Sequence, residues 1–152
     1  MEKPIRDLDD RTDPATKQML QKVVERKRKY DKLHMRHLIV MWLTVFSAFL
    51  FSYYLYKTIV IPYSHSFLVM FSQFVGDSKN LYGTILVGGL YGLMNVLREK
   101  RDKAEEEFHA LRCEIIDKST DLWGKDDQWE NRHLVFEMMK REYDINLYHE
   151  NK

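Results

Sequence analysis

The chain has 152 residues, one domain's worth, with 24 Lys and Arg against 23 Asp and Glu and a formal net charge of +1. That balance argues against a broad basic nucleic-acid-binding face, and six glycines with three prolines exclude a collagen-like or loop-rich all-β chain. A single cysteine, Cys113, excludes an internal disulfide framework and a four-cysteine zinc site. The charge is strongly segregated. Residues 1–37 hold 11 Lys/Arg and 7 Asp/Glu, residues 38–97 hold only Lys57, Asp77 and Lys79, and residues 98–152 hold 11 Lys/Arg and 15 Asp/Glu.

Residues 1–13 read as a flexible N-terminus. Asp13-Pro14 is a helix start, with Asp13 as N-cap and Pro14 at the first helical position. Neither Gly nor Pro follows until Pro62, so one helix is expected to run from the charged arm into the apolar segment. Over 14–37 it is a basic cytoplasmic helix, with Leu20, Val23, Val24, Tyr30, Leu33 and His34 at three- and four-residue spacing. Its cations Arg26, Lys27, Arg28, Lys29, Lys32 and Arg36 suit anionic lipid at up to about 1 kcal/mol per charge. A solvated, charge-paired helix face is the plainer reading.

Leu38–Tyr56 is 19 residues without charge. A spanning helix needs roughly 20 apolar residues to cross about 30 Å of hydrocarbon, so 38–61 is expected to be the first transmembrane helix, with Lys57 snorkelling to the interface. This run follows a 37-residue charged segment and is too long for the apolar core of a cleavable signal peptide. Residues 62–80 read as an extracytoplasmic or interfacial connector. The apolar middle, Ser66–Val75, is only ten residues long, and two spans are preferred to three. Leu81–Leu97, 17 uncharged residues, is the second span. Lys and Arg crowd the outer flanks of both spans and are scarce between them, which places both termini in the cytoplasm. Trp42 falls toward the inner interface, and Tyr53, Tyr54, Tyr56, Tyr63 and Tyr82 toward the outer one. Thr44, Ala48 and Ser52 on the first span and Thr84, Gly88 and Gly92 on the second form small-residue stripes that allow close helix approach in lipid. Intrachain packing of the hairpin is preferred to dimerisation, and Asn95 is a candidate interhelical hydrogen-bonding residue.

After the second span, 98–119 is an amphipathic cytoplasmic helix. Leu97, Ala104, Phe108, Leu111, Ile115 and Leu122 form a coiled-coil-like seam in four- and three-residue steps, weakened by Arg101 and Lys118. Gly124 is the expected breaker. A C-terminal helix and tail, 127–152, carries Trp129, Leu134, Phe136, Met139, Tyr143 and Leu147. The three cytoplasmic segments are each on the order of 35 Å long, and the net charges of the two arms are opposite. Together they predict an all-α membrane protein: a two-helix transmembrane hairpin whose cytoplasmic extensions form a small helical bundle. The competing arrangement has those arms docking on something else.

The chemistry-bearing motifs are sparse. Glu106/His109 and Glu130/His133 repeat the Glu-x-x-His spacing of carboxylate di-metal sites. Glu106 and His109 fall off the seam, so a solvated face is favoured and no metal or cofactor is expected. His34 and His37 read as interfacial histidines and Cys113 as a structural thiol. P-loop, GxGxxG, GxSxG and HExxH motifs are absent, so no catalytic residue or small-molecule substrate is identified, and the two spans contain no ionisable group of the kind that marks a transport path.

The segments RKYDKLHMRHLIVMW, entering the first span, and REYDINLYHENK, at the C-terminal end, resemble the YpbF-like family of small membrane proteins from Bacillus and relatives. The resemblance covers most of the chain. It implies a bacterial plasma membrane and carries no assigned catalytic residue. The favoured function is therefore a non-enzymatic interaction or adaptor protein. It would bind a protein partner or a second copy through Trp123, Trp129 and Phe136, with the bilayer as its other partner. The alternatives are an accessory subunit of a membrane transporter or enzyme, held through Gly88 and Gly92, and a metal-dependent enzyme.

Overall fold

A computed structural model describes residues 2–8, 12–124 and 126–148, with the side chains of 126–128 left aside. Among these residues all regular structure is helical. The order is α1 (Lys3–Arg6), α2 (Pro14–Leu55), a π-helical turn (Tyr56–Val60), α3 (Ile61–Tyr63), α4 (Phe67–Gly76), α5 (Ser78–Asp117), α6 (Ser119–Leu122) and α7 (Asp126–Tyr143). The chain divides into two compact units, Met1–Lys32 with Arg101–Lys152, and Leu33–Lys100.

The first unit is a helical bundle. α2 opens where Asp13-Pro14 places it, the Asp13 Oδ2 accepting the Ala15 N–H at 3.2 Å. Its core contribution is Leu20, Val23 and Val24, one face at helical spacing. α5 contributes Ala104, Phe108 and Ile115, all buried, with Leu111 packed against them, which is the seam expected from four- and three-residue steps. α7 contributes Val135, Phe136 and Met139. Fully burying one such side chain is worth roughly 1.5–3 kcal/mol, so these three short faces hold the bundle.

The ends of the bundle differ from expectation. The segment read as a flexible N-terminus forms α1, and its Ile5 is completely buried in the core. The Glu2 N–H donates to Gln21 Oε1 at 2.9 Å, and the Lys17 ammonium donates to the Leu8 carbonyl at 2.6 Å, tying the chain on both sides of Ile5 to α2. α5 ends at Asp117, seven residues before Gly124, and only the four-residue α6 intervenes. α7 stops at Tyr143 because Asp144 takes a left-handed φ of 55°, a conformation Asp tolerates better than most residues. The Ile145 N–H then reaches back to the Met139 carbonyl at 3.1 Å. Beyond it the tail alternates, Ile145 and Leu147 buried, Asn146 and Tyr148 exposed, the period of two that an extended segment imposes. Leu147 is core, as the periodicity suggested, but it reaches the core from an extended strap and not from a helix. On α7 itself Trp129 and Leu134 are exposed, and Val135 is buried instead.

Two helices, Pro14–Tyr63 and Ser78–Asp117, are long and apolar enough to cross a membrane by length and composition, and the second unit holds residues 33–63 and 78–100 of them. Only 6% of the most apolar stretch of either helix is buried. Phe46, Phe49 and Ile85 are 62%, 69% and 70% exposed. Three threonine hydroxyls of this unit bond within their own helix: Thr44 to the Val40 carbonyl, Thr58 to Tyr54 and Thr84 to Asn80, at 2.7–2.8 Å. Pro62 lacks an N–H and its ring crowds the carbonyl four residues earlier. The π-helical turn just before it widens the backbone, and the Ile61 N–H bonds to the Tyr56 carbonyl instead. The helix ends at Tyr63; α4 begins after Ser66 and is followed, after Asp77, by α5.

Close approach within this unit occurs at Gly83. A Cβ there would lie 2.3 Å from the Phe51 ring. Gly88 and Gly92, the pair expected to pack within the hairpin, face open space: a Cβ at either would have no neighbour within 4 Å. The packing assigned to them is corrected to Gly83. Thr44 is buried, Ala48 and Asn95 are half-buried, and Ser52 and Thr84 are exposed, so the two stripes do not form one continuous contact. Gly83→Ala in the full-length protein is expected to destabilise by about 1–3 kcal/mol, the usual range for overpacking, with partial rescue by Phe51→Leu, whereas Gly88→Ala is neutral. Thermal unfolding in mild detergent checks all three.

Candidate functional site

The charged surface of the bundle is built around Glu107 on α5. Arg26 and Lys29, one turn apart on α2, both reach its Oε2, Lys29 at 3.0 Å. The hydrogen bond from Lys29, reinforced by the nearby charge of Arg26, holds the Glu107 carboxyl below the usual carboxylate range. Arg28 meets Glu2 at 2.7 Å, and that hydrogen bond raises the guanidinium's pKa further. Lys27 pairs with Asp31 at 3.1 Å and lies 5.6 and 5.7 Å from the ring centres of Tyr30 and Phe108. Four of the six cations assigned to anionic lipid are therefore engaged with carboxylates of their own chain; Lys32 and Arg36 are exposed. Arg26 and Lys29 with Glu107 join the two arms of opposite net charge, whereas Lys27–Asp31 and Arg28–Glu2 lie within the N-terminal arm; the hub at Glu107 is not marked by any spacing in the sequence.

Two of the three residues expected to contact a partner are core. Trp123 and Phe136 are 2% and 5% exposed. Their rings meet edge-on at 5.4 Å, and Phe136 meets Tyr148 likewise at 5.3 Å. Trp123 and Phe136 are thus packed inside, and of this aromatic triplet only Tyr148 is exposed. Trp129 is different. It is 37% exposed, with the Arg132 guanidinium 3.5 Å over its ring and donating to its carbonyl at 2.8 Å. Beside it, Tyr148 Oη donates to the His133 carbonyl at 3.2 Å. Trp129, Arg132, His133, Phe136 and Tyr148 line a cavity of about 360 Å³, and Leu134, 56% exposed, extends the apolar surface of α7. A stacked Trp–Arg pair with neighbouring Tyr and His is the composition that anchors protein interfaces.

A second cavity of about 300 Å³ is lined by Lys27, Arg28, Asp31, Arg141, Glu142 and Asp144, among others. Its cations are matched by acids: Lys27 by Asp31, Arg28 by Glu2 and Arg141 by Glu142. Tyr143 also lines it, and burial pushes its phenol pKa up. The residues considered for a metal do not converge. His109 lies 3.8 Å from Glu105 and not beside Glu106, while His133 Nδ1 is 2.8 Å from its own helix's Glu130 carbonyl. Among the described residues no three His, Cys, Asp or Glu side chains cluster as metal ligands, and Cys113 is half-buried.

A family model, Protein of unknown function (DUF2663), matches residues 19–150. The chain belongs to this family. It is also 38% identical over 145 residues to the Uncharacterized protein YpbF of Bacillus subtilis (strain 168), covering 95% of each chain. No solved structure matches. The family match contains the second long helix and all but the first five residues of the first, Glu107 with its two cations, and the Trp129 surface, and it begins after α1.

Two outcomes follow for the full-length protein. Trp123→Ala should cost about 3–5 kcal/mol, as for a large aromatic removed from a core, whereas Trp129→Ala should leave the unfolding midpoint within the scatter of surface substitutions; denaturant melts in detergent compare them. The folded Glu107 carboxyl binds its proton less readily than the unfolded one. Its contribution to stability is therefore present above the unfolded value of about 4.3 and is lost as pH falls through the lower folded value. Glu107→Gln should flatten that acid limb in melts taken across about pH 3–6, a window set by the same reference value.

Proposed function

We propose that the protein is a two-pass integral protein of the bacterial plasma membrane, with both termini cytoplasmic. In this reading the bundle is a non-enzymatic interaction module. The observation that carries it is the outward display of large apolar side chains along two helices of sufficient length, with 6% of each apolar stretch buried. Such a surface is unstable in water and stable in lipid. The threonine hydroxyls bonded to their own helix support the same environment, since hydrocarbon supplies no partner. Arg36, Arg98 and Lys100 flank the spans on one side, against Lys57 and Lys79 on the other. Lys57 lies 5.9 Å from the Tyr53 ring centre, the contact of a snorkelling cation with an interfacial aromatic.

The interaction role rests on Trp129, the exposed member of the aromatic set. Trp129→Ala should weaken capture of a cross-linkable partner or second copy while leaving membrane attachment unchanged; unaltered cross-linking removes this residue from the reading. Topology is tested separately. Reporter fusions at the two ends should both report cytoplasm, and a cysteine at Ser64 in a Cys113→Ser background should react with an impermeant reagent added outside intact cells. Ends reporting opposite sides would overturn the two-pass arrangement.

One observation favours a second reading, that of accessory subunit. Gly88 and Gly92 have open space where the hairpin was expected to cover them, which suits a helix of another chain. Gly88→Leu with Gly92→Leu should then dissociate a complex without lowering the stability of the isolated protein.

A further inference from the structure

We propose that α4 is a lipid-docked helix, seated in the outer leaflet of a phospholipid bilayer and held there by Asn80. The inference rests on the two-pass reading and adds to it a specific contact surface.

α4 has ten residues, about 15 Å of helix, half of what a hydrocarbon core of about 30 Å requires. It therefore has to lie within one leaflet or outside the membrane. Its side chains decide between these. Phe67, Leu68, Phe71 and Val75 fall within an arc of about 100° at 3.6 residues per turn, and they are 73%, 78%, 58% and 48% exposed. Met70 and Phe74 are half-buried, so the exposed arc is a second apolar side, surplus to packing. Ser72, Gln73 and Gly76 make a polar strip beside it, interrupted by Val69. From Thr58 to Gly76 there is no Lys, Arg, Asp or Glu, and the same unit carries the uncovered apolar side chains of the two long helices. An uncharged apolar helix of this length is too short to span a bilayer and suits a segment seated at its interface.

The backbone supports the same placement. Asn80 is 2% exposed. Its Nδ2 donates to the carbonyls of Phe74 and Gln73 at 3.2 and 3.4 Å, covering the C-terminal end of α4. Its own N–H bonds to the Asp77 carbonyl at 3.0 Å, and the Thr84 hydroxyl bonds to its carbonyl at 2.8 Å. The Asn80 Oδ1 has no hydrogen-bond partner, so the amide is retained for what it donates. A helix end facing water needs no such cover, because solvent caps its carbonyls; one facing lipid does.

The test uses the full chain with Cys113→Ser and single cysteines at Phe71, Gln73 or Leu86, spin-labelled and reconstituted in phosphatidylcholine–phosphatidylglycerol vesicles. Collision with oxygen, which favours lipid, is compared with collision with a water-soluble nickel chelate. The expected result is oxygen-dominated relaxation at Phe71→Cys and Leu86→Cys, shallower at position 71, and nickel-dominated relaxation at Gln73→Cys. Asn80→Ala should lower the oxygen-to-nickel ratio at position 71 several-fold; an unchanged ratio overturns the role given to Asn80. If position 86 is in lipid and position 71 is in water, the α4 inference fails and the two-pass reading survives. If position 86 is in water, both fail. A position 71 shielded from both reagents, and freed by dilution with unlabelled protein, means that a second copy covers α4, which also overturns lipid docking.

Discussion

Sixty consecutive residues carry three charges and leave the apolar stretches of two long helices almost wholly unburied within the chain. This constraint shapes the rest of the chain. The second unit leaves most of this apolar surface unburied, and several of the polar groups within it find a partner inside the chain. Thr44, Thr58 and Thr84 do so through the preceding turn of their own helices, and Asn80 does so by covering the end of α4.

The first unit solves the opposite problem. Its helices are rich in charge, and their apolar faces are only two or three residues wide. Pairing across α2 and α5 at Glu107 brings opposite charges together where a narrow hydrophobic seam alone would leave the helices free to slide. Exposed pairs of this kind contribute little energy each, and their value is in choosing one alignment among several that the apolar faces would accept. The core then accepts help from both ends of the described chain, Ile5 from one side and Ile145 with Leu147 from the other.

Much of this was legible in the sequence, because it depends on period and charge. The start of α2 at Asp13-Pro14, the seam Ala104–Phe108–Ile115 and the two apolar helices all follow from local rules. The errors share a cause: they concern which of several equivalent side chains a neighbour selects. Trp123 and Trp129 are six residues apart on either side of a break, and nothing in their flanks says that the first is sealed by Phe136 and the second is not. Gly83 and Gly88 are both glycines in an apolar helix; only the position of the Phe51 ring distinguishes them. Asn80 looks like the residue of an ordinary turn. Its burial, and the carbonyls it reaches, depend on how α4 folds back. The end of α7 depends on one backbone angle at Asp144, which composition does not specify.

The π-helical turn at Tyr56–Val60 has a consequence for the chain's tolerance of length changes. A π turn holds one residue more than the α-helix it replaces. Loss of a single residue there can be absorbed by a return to α geometry, leaving the break at Ser64 and the helix after it in register. The same loss beside Gly83 would rotate every side chain beyond it by about 100° and carry the glycine away from the Phe51 ring. Within the apolar unit, the few residues before Pro62 are thus the point where the chain can shed a residue without losing its phase.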